Sequence, residues 1–213
     1  MKKRWCAMFA AVVVLSLAAC GDDDGGGGGG GDGGGGGAGG DAPKVGVLLP
    51  DSKSSVRWET VDRPFLQKAF EAAGVEADIQ NAEGDKSTQQ QQAEQMITNG
   101  AQVLLLVNLD SGSGAAIAGN AASQGVKVID YDRLTLETQD TDYYVSFDNE
   151  AVGRLQGEGL VGCIEEAGTE NPQIAVLNGS PTDNNATLFK NGYDSVINPK
   201  FDSGEWTEID DQS

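Results

Sequence analysis

The chain has 213 residues, with 14 Lys and Arg against 33 Asp and Glu, and a net charge of −19. So acidic a chain argues against binding to nucleic acid, because phosphate contacts need clustered cations. It also contains no histidine, which is the most frequent general base and metal ligand in proteins. The composition therefore gives no support for catalysis or for a metal site.

The N-terminus has the features of a bacterial lipoprotein signal. Basic residues 2–4 precede an apolar stretch at residues 7–18, and the run Leu-Ala-Ala-Cys then ends at Cys20. A membrane-spanning helix needs about 20 apolar residues, so a stretch of about 12 is too short to span. We predict a signal peptide at residues 1–19 and a lipid on the Cys20 thiol, which anchors the protein at the extracytoplasmic face of the cell membrane. The alternative is an ordinary secretory signal that happens to contain a cysteine.

Residues 20–42 predict a disordered tether. Between Gly21 and Gly40 the chain contains only Gly, Asp and one Ala. Such a segment has no apolar side chains to bury, and its backbone entropy is high. A Gly-rich coil of this length reaches about 25 Å, enough to hold a domain clear of lipid head groups.

From Pro43 onwards, apolar strand segments alternate with amphipathic helices. We predict strands at residues 44–49, 75–80, 103–107, 126–130, 143–147 and 174–177, and helices at 58–73, 85–98, 115–123, 150–167 and 187–197. Several of the strands are apolar throughout, which is typical of a parallel sheet covered by helices on both faces. The predicted fold class is therefore α/β, with a Rossmann-like sheet. Ligands of such sheets bind at the carboxyl ends of the strands.

Polar and aromatic side chains follow three of these strands. Arg57 and Trp58 come after the first strand, Asp132 and Arg133 after the fourth, and Asn185 after the sixth. A sugar has CH-rich faces that suit stacking on an indole, and a rim of hydroxyls that suits guanidinium, carboxylate and amide groups. The placement predicts one shared pocket. Each group taken singly also has a simpler explanation. Arg57 is then a solvated charge, Asp132 and Arg133 are a local ion pair, and Asn185 is part of an ordinary turn.

Two other features have simpler explanations. Gly112 and Gly114 follow a strand and resemble the start of a dinucleotide-binding loop, but Ile117 stands where the third glycine is required. No cofactor is therefore expected. Cys163 lies in an apolar run, where we expect a buried small side chain rather than a nucleophile.

Four segments are similar to a known family. They are residues 128–133 (VIDYDR), 144–153 (YVSFDNEAVG) and 179–189 (GSPTDNNATLF), together with the Arg57-Trp58 pair. On these segments the chain resembles the D-xylose-binding proteins of sugar ABC transporters, within the type I periplasmic binding protein family. The resemblance implies two Rossmann-like lobes that close around a pyranose. The first lobe would occupy residues 43–147 and part of the second would occupy residues 148–213, with a hinge near Phe147.

The resemblance also implies roles for the candidate site residues. Arg57 would donate to a sugar hydroxyl and Trp58 would lie under the sugar ring. Asp132 and Arg133 would bind further hydroxyls, and Asn185 would reach the sugar from the second lobe. The implied ligand is a monosaccharide, D-xylose first, and the implied partner is the membrane permease of an ABC transporter.

Members of that family continue beyond the point that matches residue 213. We therefore expect a C-terminally truncated receptor with a complete first lobe, weak sugar binding at best, and an unpaired sheet edge in the second lobe. A non-functional fragment and a sugar-sensing receptor for a chemosensory or two-component system are the alternatives. A LacI-type regulator is disfavoured, because the N-terminus reads as a lipid signal and not as a DNA-binding helix pair. A sugar hydrolase is disfavoured because Asp130 and Asp132, two apart on a strand, point to opposite faces.

Overall fold

Two parallel β-sheets with flanking helices make up residues 42–212, the part of the chain that the computed structural model describes. Cys20, the predicted signal peptide and nearly all of the predicted tether lie outside the described residues. No helix within residues 42–212 has the length and apolar character needed to cross a membrane.

The first sheet has five strands. They are β1 (Lys44–Leu49), β2 (Glu76–Asn81), β3 (Val103–Leu106), β4 (Lys127–Tyr131) and β5 (Tyr143–Val145), in the spatial order β2-β1-β3-β4-β5 and parallel throughout. A π-helical turn (Trp58–Asp62) leads into α1 (Arg63–Ala73), and α2 (Lys86–Thr98) and α3 (Ser111–Ser123) follow β2 and β3. The carboxyl ends of all five strands therefore meet at one edge of the sheet.

Helices cover both faces of this sheet, and each face has its own apolar core. On one face Leu104 and Leu106 pack with Met96 of α2 and Ile117 of α3. On the other face the β1 and β3 side chains pack with Trp58, and Phe70 of α1 covers them. The predicted α/β class, a parallel sheet covered by helices on both faces, is confirmed.

The second sheet is smaller. The chain leaves β5, forms the long helix α4 (Asn149–Ala167), and then adds β6 (Gln173–Leu177), α5 (Asn184–Asp202) and β7 (Thr207–Gln212). β6 and β7 pair in parallel as a sheet of two strands. We call the first sheet with its helices the first lobe, and the second sheet with α4 and α5 the second lobe. That they are separate domains divided at residue 147 stays a prediction.

Each predicted helix and strand is present among the described residues, although many of their ends differ from the prediction. α3 begins at Ser111 and not at residue 115, because the Asp110 side chain accepts from the Ser113 amide at 2.8 Å and caps the helix there. In the predicted helix at residues 58–73, Pro64 stands in the first turn of α1 and the turn before it is π-helical. Strand β7 was not predicted, since its sequence TEIDDQ has a single apolar residue.

The prediction that Cys163 is buried is wrong. Cys163 is an exposed free thiol on α4. The buried positions of α4 are Asn149, Gly153 and Gly157, four residues apart on the face that packs against α5. Cys163 does not belong to that stripe, so its apolar neighbours in sequence do not bring it into the core.

Candidate functional site

The carboxyl ends of β1 and β4 bring the first group of candidate residues together. Arg57 follows β1 and Asp132 follows β4, which is two strands away in the sheet. Arg57 Nη2 donates to Asp132 Oδ2 at 2.6 Å. Burial lowers the pKa of Arg57, but the charges and hydrogen bonds of Asp132 and Asp62 outweigh that effect and leave the pKa above its usual value. The guanidinium is therefore firmly charged and ion-paired.

Residue Asn185 reaches the same place from the second lobe. It lies at the N-terminus of α5, where the Asp183 side chain caps the helix by accepting from the Asn185 amide at 2.9 Å. Asn185 Nδ2 lies 3.1 Å from both Asp132 Oδ1 and the Asp132 carbonyl oxygen. Asn185 is 4% exposed. A buried amide thus joins the two lobes through Asp132.

Arg133 makes a second link between the lobes. Its Nε lies 3.0 Å from Asp183 Oδ2, a charge contact whose angle is too poor for a hydrogen bond. Its Nη1 donates to the Asn108 carbonyl oxygen at 3.2 Å. The side chain is 14% exposed. Arg133 is therefore held by a residue of each lobe.

Trp58 belongs to the core of the first lobe. It is 3% exposed and packs against Val47, Leu49, Leu105 and Val107. The Arg57 guanidinium lies over the indole, with Cζ 4.1 Å from the ring centroid, and Arg133 Cζ lies 5.9 Å from it. Cations attract the negative face of an indole at such distances. While Arg57 keeps this position, a sugar cannot stack on the face of Trp58 that it covers, so the predicted stacking role of Trp58 stays a prediction.

Backbone strain marks the same location. Asp132 has a φ of +66°, in the left-handed region, which costs a non-glycine residue about 1–3 kcal/mol. Its amide donates to the Val145 carbonyl oxygen at 2.8 Å, and its own carbonyl oxygen accepts from Tyr144 Oη at 3.2 Å and Ser146 Oγ at 3.0 Å. Contacts from β5 and the segment after it thus hold Asp132 in this conformation.

Aspartates 130 and 132 have different surroundings, as their spacing predicts. Asp130 has no exposed surface and accepts from the Thr135 amide at 2.8 Å and from Thr135 Oγ1 at 2.7 Å. Burial raises the pKa of Asp130, and the Thr135 hydrogen bonds only partly offset this. Asp130 therefore has a structural role in the turn after β4, whereas Asp132 faces Arg57.

Sequence reasoning assigned no role to two residues of the site, Asp62 and Tyr131. Asp62 lies in the π-helical turn, where its Oδ2 accepts from Arg57 Nε at 3.0 Å and its Oδ1 accepts from Tyr131 Oη at 2.6 Å. Burial and the Asp62 carboxylate together raise the pKa of Tyr131 to about 12. Arg57 and Asp62 are five residues apart, a spacing that an α-helical reading does not pair but a π-helical turn does.

A cavity of about 390 Å³ adjoins this network. Its lining residues are Arg57, Val61, Asp62, Tyr131, Asp132, Val145, Ser146 and Phe147. Small-molecule sites have volumes of about 300–1,000 Å³ and combine apolar walls with a few polar groups. Trp58, Arg133 and Asn185 do not line the cavity, because each is covered by neighbouring side chains.

The largest of the described cavities lies elsewhere. It measures about 500 Å³ and is lined by the ends of α4 and α5, with Ile164, Lys200 and Trp206 among its residues. These residues belong to α4, α5 and the segments after them, and none of them follows a strand of the first sheet. The strand-end cleft is therefore the candidate site, although it is the smaller of the two.

An aromatic pair also connects the lobes near the predicted hinge. Phe147 stacks on Phe189 of α5, with centroids 6.2 Å apart and an interplanar angle of 11°. Asn149 Nδ2, at the start of α4, lies 3.3 Å from the Phe147 carbonyl oxygen. The crossing segment is thus fixed to the first turn of α4 and to α5.

Comparison with known proteins agrees with the geometry. The sequence profile of the family described as "Periplasmic binding protein domain" matches residues 45–213. The chain belongs to this family. The match begins in β1 and runs through β7, so it covers both sheets.

Several curated relatives are named as sugar-binding proteins. The multiple sugar-binding periplasmic protein SbpA of Azospirillum brasilense is 40% identical over 168 residues, which cover 78% of this chain and 46% of the relative. The D-xylose-binding periplasmic protein of Escherichia coli is 36% identical over 169 residues, covering 79% of this chain and 49% of the relative. The chain therefore spans about half the length of the curated relatives it matches.

Among solved structures, an ABC transporter solute binding protein from Clostridium phytofermentans with bound β-D-glucose is similar. It has 34% sequence identity and a TM-score of 0.72, and the match covers 78% of this chain and 51% of that protein. The predicted resemblance to sugar-binding proteins of this class is confirmed. The role of each of the five predicted residues toward a sugar stays a prediction.

Proposed function

We propose that the chain is the sugar-binding part of a substrate-binding lipoprotein that captures a monosaccharide for the permease of an ABC transporter. The observation that carries the proposal is the contact chain from Arg57 to Asp132 to Asn185, which crosses from one lobe to the other at the strand ends. D-xylose is the first ligand to test, because the relative from Escherichia coli is named for it. D-glucose is the second, because it is bound in the structure from Clostridium phytofermentans.

Unpaired buried atoms are present on two of the candidate residues, although neither residue lines the cavity. Within residues 42–212, Trp58 Nε1 and Asn185 Oδ1 are buried without a hydrogen-bond partner. Buried polar groups are nearly always paired, so each such atom needs an explanation. One is a donor and the other an acceptor, and a sugar hydroxyl can satisfy either.

Binding by this chain is expected to be weak. The Asn185 amide already bonds to the carboxylate and the carbonyl oxygen of Asp132. A sugar that binds Asn185 must replace these contacts, and it gains only the difference between the two sets of hydrogen bonds. We expect a dissociation constant of about 1 mM or weaker, equivalent to at most about 4 kcal/mol.

Titration of the 213-residue chain with D-xylose, D-glucose and D-ribose, followed by NMR chemical shifts, tests the proposal. We expect saturable shifts at the strand ends for xylose or glucose, and the comparison with ribose measures how far the site discriminates among monosaccharides. Asn185→Ala should abolish them, because Asn185 is 4% exposed and bonded to Asp132. Asn184→Ala, one residue away in the first turn of α5, is the matched control and should leave them intact. Absence of saturable shifts with all three sugars, or shifts that survive Asn185→Ala, contradicts the proposal.

Lipid anchoring through Cys20 belongs to the same proposal. Its support is the basic, apolar and Leu-Ala-Ala-Cys order of residues 2–20. Expression in a bacterium should yield a mature chain that begins at Cys20 and carries diacylglycerol, as intact mass spectrometry would detect. Cys20→Ser should abolish both the lipid mass and the membrane association. A mature chain that begins elsewhere contradicts this part.

A further inference from the structure

Arg57 is clamped between two carboxylates that come from different parts of the fold. Its Nε donates to Asp62 Oδ2 at 3.0 Å, and its Nη2 donates to Asp132 Oδ2 at 2.6 Å. A guanidinium has five N–H donors in a rigid plane, so these two bonds fix the orientation of the remaining three. Within the described residues those three have no acceptor, and Arg57 lines the 390 Å³ cavity.

Both carboxylates of this clamp are largely buried. The Asp62 and Asp132 side chains are 8% and 10% exposed, whereas that of Arg57 is 38% exposed. Both carboxylate oxygens of Asp62 are occupied, because Tyr131 Oη donates to the second oxygen at 2.6 Å. Tyr131 lies on β4, so the hydrogen bond connects the π-helical turn to the rigid sheet. The carboxylate thus has a fixed position before any ligand arrives.

We propose that Asp62 is a positioning residue that sets the orientation of the Arg57 guanidinium for sugar hydroxyls, with Tyr131 as its attachment to β4. This inference rests on the proposed function. A long side chain that is already held in its binding orientation loses less conformational freedom when the ligand binds. Without Asp62, Arg57 keeps a single carboxylate partner, Asp132. Asp132 has a strained backbone and is itself expected to bind the sugar, so it holds Arg57 less firmly.

Asp62→Leu and Asp62→Asn separate the parts of this role. Leucine keeps the branching at Cγ, although it is larger, and it removes both hydrogen bonds. The amide keeps an oxygen for Arg57 Nε and an NH₂ group that can donate to the Tyr131 hydroxyl, so it retains the geometry without the charge. Glu59→Gln is the matched control. Glu59 lies in the same π-helical turn and pairs with Arg63 and Asn81, but it does not contact Arg57.

Two readouts on the full chain test the inference. Nitrogen-15 relaxation of the Arg57 Nε–H group reports the order of the guanidinium without any sugar present. We expect it to be rigid in the unmodified chain and in Glu59→Gln, intermediate in Asp62→Asn, and mobile in Asp62→Leu. Sugar affinity from shift titration should fall about tenfold in Asp62→Leu and about threefold in Asp62→Asn, given the usual size of hydrogen bonds to charged groups.

The outcomes distinguish this inference from the proposed function. A rigid Arg57 in Asp62→Leu overturns the positioning role, as does a loss of affinity without any gain in Arg57 mobility. Partial recovery by Asp62→Asn in both readouts supports it, since a purely structural residue would affect folding and not the order of one guanidinium. Absence of sugar binding by the unmodified chain overturns the proposed function. In that case the relaxation data alone still test whether Asp62 fixes the orientation of the Arg57 guanidinium.

Discussion

The two sheets bury their strands to very different degrees. In the first sheet, Leu48, Leu104 and Val128 have no exposed surface, and helices lie on both faces. In the second sheet every residue of β7 is exposed, and Leu177 of β6 is 85% exposed. The first sheet therefore forms a core of its own, whereas the second sheet contributes little apolar burial in this chain.

Helix packing takes the place of a sheet core in the second lobe. α4 and α5 approach closely at Gly153 and Gly192. A Cβ at Gly153 would overlap the Phe189 carbonyl group, and a Cβ at Gly192 would overlap the Glu150 carbonyl oxygen and the Arg154 amide. The polar contacts of Asn185 and Arg133 then attach this helix pair to the first lobe. The first lobe is thus stabilised by its apolar sheet core and the second by close packing of α4 on α5. Single substitutions can weaken each of these separately.

Leu104→Ala should have the largest effect on stability. Leu104 is fully buried between β3 and the helices α2 and α3. Its truncation should lower the free energy of unfolding by about 2–5 kcal/mol, through lost transfer energy and the cavity left behind. Urea unfolding combined with hydrogen exchange of β1 to β4 measures this loss.

Leu177→Ala is the matched substitution in the second sheet. Because Leu177 is 85% exposed, its truncation should change stability by less than about 0.5 kcal/mol. Similar losses at Leu104 and Leu177 would contradict the assignment of the sheet core to the first lobe alone.

Gly192→Ala should have the next largest effect, confined to the second lobe. The new methyl group would meet backbone atoms of α4 that have no room to move, a strain of about 1–3 kcal/mol. Hydrogen exchange should become faster in α4, α5 and β6 while β1 to β4 keep their protection. Gly162→Ala on α4 is the control. A Cβ at that position meets nothing within 4 Å, so the substitution should stabilise the helix by up to about 1 kcal/mol.

The first lobe could be predicted from the sequence better than the second. Strands such as VLLL of β3 are apolar because both faces are buried, so burial and sequence pattern agree. Strand β7 has no such pattern, because its pairing with β6 depends on backbone hydrogen bonds and not on side-chain burial. The prediction that Cys163 is buried fails for a related reason, because an apolar run is buried only where another layer of the fold covers it.

Within the site, the residue types could be predicted but their contacts could not. Arg57, Asp132 and Asn185 were expected to meet at the strand ends, and they do. Asp62 was missed because its contact with Arg57 depends on a π-helical turn, and no sequence period distinguishes that turn from α-helix. The close cover of Trp58 by Arg57 is likewise a matter of side-chain rotamer, which the order of residues does not specify.

Lowering the pH should have the smallest effect on stability, and this effect again concerns the first lobe. Hydrogen bonds from the Arg63 guanidinium lower the pKa of Glu59 from its usual 4.5, and burial only partly opposes them. The unfolded chain therefore takes up a proton at Glu59 at higher pH than the folded chain does. The stabilisation by Glu59 is complete well above pH 4.5 and is lost as the pH falls through the lowered pKa.

Glu59→Gln should flatten this pH dependence. The Glu59 and Arg63 side chains are 34% and 29% exposed, so solvent screening limits the contribution to less than about 1 kcal/mol. Hydrogen exchange of β1 to β4, compared between about pH 5 and about pH 3, measures it. The unmodified chain should lose protection as the pH falls, and Glu59→Gln should lose less while starting from a lower value. An unchanged slope would mean that the acid sensitivity of the first lobe originates in other carboxylates, such as Asp110, whose pKa the Lys86 hydrogen bond also lowers.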